Sequence, residues 1–264
     1  MKSEFNGAIE LAQHFRPRAG IKHAIMDWDG TISLLRGGWA ELMVELCLGH
    51  APTLDRAHVH SEILALNGKP SIHQMARIAE LVGAGTADGY QNDYVARITD
   101  VVTQRVDTLR SGSDPGTLMV PGVAGFLQAL QDRGVKLTLI SGTPQPELAP
   151  EAVLLGVSEF FSGRIYGPAD AGDRAFTKRA AIHAEVEQHG IRGEELLAVG
   201  DGPVEISETK ALGGLAVAVA SDEVEPGSGR FDEFKRRQLL ESGADIVVAD
   251  FRDAVALVKL IMGS

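Results

Sequence analysis

Two carboxylates, Asp27 and Asp29, stand two residues apart in Asp27-Trp28-Asp29-Gly30-Thr31, directly after the apolar run 21–26. If that run is a strand, alternation turns Asp27 and Asp29 to one side and Trp28 to the other, into the core. Acids at the carboxyl end of a strand can hold a divalent cation while one of them attacks an electrophile. Three further stretches offer complementary groups. Ser141-Gly142-Thr143 follows the apolar run 135–140. The Ser141 hydroxyl and the following backbone N–H groups can cradle an oxyanion, and Thr143 can cap a helix that has Pro146 in its first turn. Gly200-Asp201-Gly202-Pro203-Val204-Glu205 follows the run 196–199, and its glycines admit close approach of the backbone to a ligand. Lys178 lies near the start of a helical pattern, where a cation opposes the helix dipole; facing an anion would offset that cost.

The elements that must position these groups are legible as period. Short β-branched runs at 21–26, 135–140, 196–199, 215–219 and 246–248 read as buried parallel strands. Helical patterns at 123–133, 146–155, 177–189, 203–212, 231–242 and 252–262 separate or follow them. Strands alternating with helices of this length predict an α/β fold with a doubly wound parallel sheet, whose ligands bind beyond the carboxyl ends of the strands. The interval 34–118 breaks the alternation. Its apolar residues recur at helical spacing in four stretches, around Trp39–Leu46, Val59–Leu66, Ile72–Val82 and Tyr94–Leu109, which predicts a small helical insertion. The spacing of Phe5, Ile9 and Ala12 predicts a short amino-terminal helix laid on the core.

Composition bounds the function classes. The 264 residues are 44% hydrophobic and 23% charged, an ordinary globular balance. No apolar stretch approaches the roughly 20 residues of a membrane span, and the first twenty residues lack an apolar signal core, so a cytoplasmic protein is expected. A net charge of −11 argues against nucleic acid, and Lys235-Arg236-Arg237 reads as a solvated helix face. An anionic substrate would need a metal or a few placed cations to reverse the local sign. The single cysteine, Cys47, excludes an internal disulfide and reads as a packing residue. His58 and His60, two apart, do not share a helical face, which argues against a histidine metal site.

In order and separation, Asp27-Trp28-Asp29-Gly30-Thr31, Ser141, Lys178 and Asp201 with Glu205 resemble the four motifs of the haloacid dehalogenase superfamily, in its phosphoglycolate phosphatase and β-phosphoglucomutase-like branch. The resemblance covers 21–33 and 119–249, and the helical block resembles that superfamily's small cap of the first type. It implies a Rossmann-like core of residues 1–33 and 119–264 with an α-helical cap, 34–118, inserted into it. It implies that Asp27 is a nucleophile forming an aspartyl-phosphate, and that Asp29 is the acid for the leaving alcohol and then the base for water. It further implies that Ser141, Gly142, Thr31 and Lys178 hold the phosphoryl group, and that Asp27, Asp29 through its carbonyl, Asp201 and Glu205 hold Mg²⁺. Lys69, in the turn Asn67-Gly68-Lys69-Pro70, and Arg36 are the candidates for contact with the rest of the substrate.

The expectation is a Mg²⁺-dependent phosphatase, monomeric or homodimeric, acting on a small phosphorylated metabolite such as a sugar phosphate or a phosphoglycolate-like ester. A phosphomutase of the β-phosphoglucomutase type and a non-catalytic phosphometabolite sensor are the alternatives. The chemistry agrees with the residue types. A carboxylate attacks a phosphate dianion only if cations offset the repulsion, and hard oxygen ligands suit Mg²⁺.

Overall fold

The computed structural model describes residues 8–66, 69–170, 173, 175–223 and 225–263. Among them are the strands β1 (Ile9–Leu11), β2 (His23–Met26), β3 (Lys136–Ile140), β4 (Ile165–Tyr166), β5 (Leu196–Gly200), β6 (Leu215–Val219) and β7 (Ile246–Val248). They form one sheet in the order β1-β7-β6-β5-β2-β3-β4, parallel except where β1 runs against β7. Every residue of β2, β5 and β6 is buried, which is why these strands read as continuous apolar runs rather than alternating ones.

Residues 1–34 and 112–264 form one compact unit. Its helices are α5 (Val123–Gln131), α6 (Gln145–Leu154), α7 (Ser158–Phe161), α8 (Lys178–His189), α9 (Pro203–Ala211), α10 (Glu233–Glu241) and α11 (Ala254–Met262). Alanines 216, 218 and 220 on and after β6 pack with Ile206 of α9 and Leu239 of α10; their small side chains leave room for both helices. Ile25, Ile140 and Leu196 pack with Ile182 of α8. The register sets the strand ends side by side. Met26 lies opposite Leu139 of β3 and Val199 of β5, and the Asp27 N–H donates to the Val199 carbonyl at 2.9 Å.

The amino-terminal segment departs from its helical spacing. Ile9–Leu11 is extended and pairs with Ile246–Val248, while Phe5 lies outside the described residues. The edge of β7 would otherwise expose unpaired backbone groups, and closing that ladder outweighs a weak local pattern. Arg236 ties the strand down through a two-pronged contact with Glu10, one prong at 2.9 Å.

At the amino end of the central strand β5, Glu195 accepts from Arg192 at 2.9 Å and from Lys22. These bonds, first Arg192 and then Lys22, hold its carboxyl down from 4.5 to about 2. A carboxyl depressed on folding stabilises above its unfolded value and loses that contribution as pH falls through the folded one. Glu195→Gln is therefore expected to be less stable than the parent at pH 7, with the difference vanishing between pH 4.5 and about 2. Acid-unfolding curves of the two proteins that stay parallel through that range would contradict this.

Residues 35–111, between β2 and β3 in sequence, form the second compact unit. It consists of α1 (Trp39–His50), α2 (Arg56–Leu64), α3 (Ile72–Val82) and α4 (Ala87–Arg110). Met43, Leu46, Cys47, Val59, Ile63, Met75 and Ile78 make its core, and Tyr90 closes it. Burial pushes the Cys47 thiol up, as suits a packing residue. Asp55 and Thr86 cap α2 and α4 by accepting from His58 N–H and Gly89 N–H.

Candidate active site

The carboxyl ends of β2, β3 and β5 carry the candidate chemistry. Asp27, 4% exposed, directly follows β2. One of its oxygens, Oδ1, accepts the Trp28 N–H at 2.7 Å, and the other, Oδ2, accepts from Lys178 Nζ at 2.6 Å. Trp28 points inward, fully buried, and its indole N–H donates to the buried Glu151 of α6 at 3.0 Å. The chain then turns tightly. Three successive N–H groups, of Thr31, Ile32 and Ser33, converge on the Trp28 carbonyl, and Gly30 adopts φ +70°. A Cβ at Gly30 would stand 2.1 Å from Asp201 Oδ2, so the glycine is required both by its backbone angle and by the approach of Asp201.

Beyond β5, Glu205 in the first turn of α9 folds back to accept the Gly202 N–H at 2.7 Å, satisfying one of the helix's orphan donors. Gly200 is constrained by space alone, since a Cβ there would lie 2.3 Å from Glu205 Oε1. Lys178 opens α8, whose N-cap is Thr177. Its ammonium spans Asp27 and Glu205, the latter at 3.5 Å. Burial alone would lower the Lys178 pKa; the fields of Asp27 and Glu205 outweigh it and raise it, so the group is an ammonium at neutral pH. Burial first, then Glu205 and Asp201, push the Asp27 carboxyl up against the opposing pull of Lys178.

Carboxylate oxygens of Asp27, Asp201 and Glu205 lie within 4.8 Å of one another. Three hard carboxylate oxygens at that spacing, one from each of three residues, fit a divalent cation. The structure thus brings Asp27, Lys178, Asp201 and Glu205 together.

Ser141 is buried after β3, and its hydroxyl accepts the Thr143 N–H at 3.0 Å; Gly142 is exposed beside it. Thr31 is fully buried, and its hydroxyl has no hydrogen-bond partner among the described residues. Arg36 and Lys69 belong to the second unit, Arg36 half-buried and Lys69 exposed in the turn between α2 and α3; Asn67 and Gly68 of that turn lie outside the described residues.

Two side chains depart from their sequence readings. Thr143 does not cap α6, whose N-cap is Pro144 without a side-chain bond. Its hydroxyl donates instead to Asp29 Oδ2 at 2.6 Å, joining the ends of β2 and β3. Lys235 is not on a solvated face. It is 3% exposed, and its ammonium meets Asp201 Oδ2 at 2.8 Å and Glu223. A basic run on a helix carries no sequence signal that one member turns inward. Only the position of α10 against the sheet reveals it.

Residues 21–213 match the haloacid dehalogenase-like hydrolase family. The chain is similar to the phosphoglycolate phosphatase of Escherichia coli, 33% identical over 101 residues, which are 38% of this chain and 39% of that protein. The match thus spans well under half the length of that relative. A longer match, to the phosphoglycolate phosphatase of Photorhabdus laumondii, is 27% identical over 202 residues and covers 74% of this chain and 78% of that one. In fold it resembles a haloacid dehalogenase-like protein of unknown function from Agrobacterium tumefaciens, with TM-score 0.66 at 16% identity, covering 90% of this chain and 98% of that one.

Proposed function

Because the chain belongs to the haloacid dehalogenase-like hydrolase family, we propose that it is a Mg²⁺-dependent phosphatase of small phosphate monoesters that works through an aspartyl-phosphate on Asp27. The observation that carries this reading is the meeting of Asp27 with Lys178, Asp201 and Glu205 at the strand ends, with Asp29 two residues on.

Asp27 attacks phosphorus with Oδ2, the oxygen that Lys178 now holds. As the phosphoryl group arrives, Lys178 shares its ammonium with the phosphoryl oxygens and offsets the repulsion between two anions. Ser141, the Gly142 N–H and Thr31 supply further donors to those oxygens. Asp29 protonates the departing alcohol and then accepts a proton from the water that attacks the phosphoenzyme. Asp27, the Asp29 carbonyl, Asp201 and Glu205 would hold Mg²⁺, which when bound neutralises charge on the nucleophile and the phosphoryl group.

Thr143 orients Asp29 in this scheme. Thr143→Val keeps the shape and removes the donor. It is expected to lower kcat about tenfold, a fraction of the usual general-acid contribution, with KM little changed. An unaltered kcat would remove Thr143 from the mechanism.

The similarity to phosphoglycolate phosphatases supports phosphoglycolate as a first substrate to try, with sugar phosphates next. Arg36 and Lys69 set substrate preference in this reading. The deciding experiment measures phosphate release from a panel of phosphorylated metabolites with and without Mg²⁺, beside the Asp27→Asn variant. Mg²⁺-dependent release that the variant lacks supports the proposal. An isomeric phosphate without release would indicate a mutase, and no turnover of any ester would indicate a sensor.

A further inference from the structure

Lys235 lies where neither its helix nor the core explains a cation. It is the third residue of α10, near the positive end of the helix dipole, and it is 3% exposed. Both circumstances disfavour an ammonium. Two carboxylates offset them: Asp201, through Oδ2 at 2.8 Å, and Glu223. The fields of these two acids outweigh burial and raise the lysine's pKa. The backbone beneath it is fixed as well. Asp232 accepts the N–H groups of Phe234 and Lys235 at 2.9 and 3.0 Å, and its own N–H donates to the Ala220 carbonyl just past β6.

The oxygen that Lys235 engages is the one that lies against Gly30, where a Cβ would come within 2.1 Å of it. Asp201 Oδ2 is thus enclosed between an ammonium and the turn of the first motif. Oδ1 is the oxygen that remains for a cation.

We propose that Lys235 is a positioning residue that confines Asp201 to monodentate ligation and thereby favours Mg²⁺ over Ca²⁺. The inference rests on the reading of Asp27, Asp201 and Glu205 as a divalent-cation site. Mg²⁺ demands near-octahedral geometry at about 2.0–2.1 Å, whereas Ca²⁺ takes about six to eight oxygens and commonly uses carboxylates through both. An oxygen already engaged by a buried ammonium is the weaker ligand and is held toward Lys235, so Asp201 binds an ion through Oδ1 in preference to both oxygens. Glu223 balances the lysine's charge, so the clamp restrains Asp201 without adding net repulsion toward the incoming ion.

Calorimetric titration with MgCl₂ and with CaCl₂, without substrate, tests this on the full chain and three variants. Lys235→Met removes the ammonium. Lys235→Met combined with Glu223→Ala removes one charge of each sign, which preserves the local balance if the single change folds poorly. Glu223→Gln keeps the clamp, because an amide oxygen still accepts from Lys235. The expected result is that the Ca²⁺-to-Mg²⁺ ratio of dissociation constants falls about tenfold when the lysine is lost, the usual scale for removing a ligand's outer partner. Glu223→Gln weakens both ions together and leaves that ratio within about twofold. An unchanged ratio in the charge-balanced variant, with Mg²⁺ still bound, overturns the inference alone. Failure of the parent protein to bind either ion overturns the metal-site reading and this inference with it.

Discussion

Asp27→Asn is expected to lower phosphate release by at least about a thousandfold, because an amide cannot form the acyl phosphate. The change is nearly isosteric, and Lys178 still has Glu205 at 3.5 Å. Stability should not fall with activity. The Asp27 carboxyl is pushed up on folding, chiefly by burial and then by Glu205 and Asp201 against Lys178. A carboxyl raised in this way favours the fold below its unfolded pKa and loses that contribution as pH rises through its folded value. Above that value its charge is a cost that Asn does not carry. Without divalent ions near pH 8, the variant should therefore melt no lower than the parent. Thermal melts and phosphate assays on the same preparation check both halves. Parent-like turnover would remove Asp27 as the nucleophile, and a large drop in melting temperature would show that the residue is structural.

Lys178→Met should have the next largest effect, and in both observables. It deprives Asp27 and Glu205, each about 5% exposed at the side chain or less, of the ammonium between them. Breaking a buried pair from one side costs about 3 kcal/mol, because the charges left behind are uncompensated. The sign is fixed by the raised lysine pKa: its contribution is complete below the ordinary lysine value of 10.5 and is lost only as pH rises through the folded one. The loss at pH 7 should thus be full. Added Mg²⁺ should restore part of the stability by replacing the missing charge, while activity stays low because the phosphoryl oxygens still lack their cation. Denaturant unfolding with and without Mg²⁺ measures this. A variant as stable as the parent without metal would mean that the acids repel each other far less than their spacing implies.

Much of the sheet was legible because its strands are short, apolar and separated by helices whose starts carry their own marks. Thr177 before Lys178, and Gly202 before Pro203 with Glu205 two residues later, are local signals. The same locality explains the failures. The spacing of Ile9 and Ala12 suits a helix, yet three residues of that segment serve better as a partner for β7, and nothing within the segment records that edge. Thr143 carries the usual marks of a helix cap, but Asp29 offers its hydroxyl a carboxyl oxygen as acceptor at 2.6 Å.

What this sequence determined by itself was the set of strand ends that carry acids, a hydroxyl and an amine, since chain period and glycine-flanked turns are properties of neighbouring residues. Only the tertiary structure decided which side chains share a charge. Lys235 and its exposed neighbour Arg237 look alike in sequence, and only one of them meets Asp201, 34 residues away along the chain. Electrostatic partnership depends on distance through space and on exclusion of water, and neither is encoded in the spacing of a basic run.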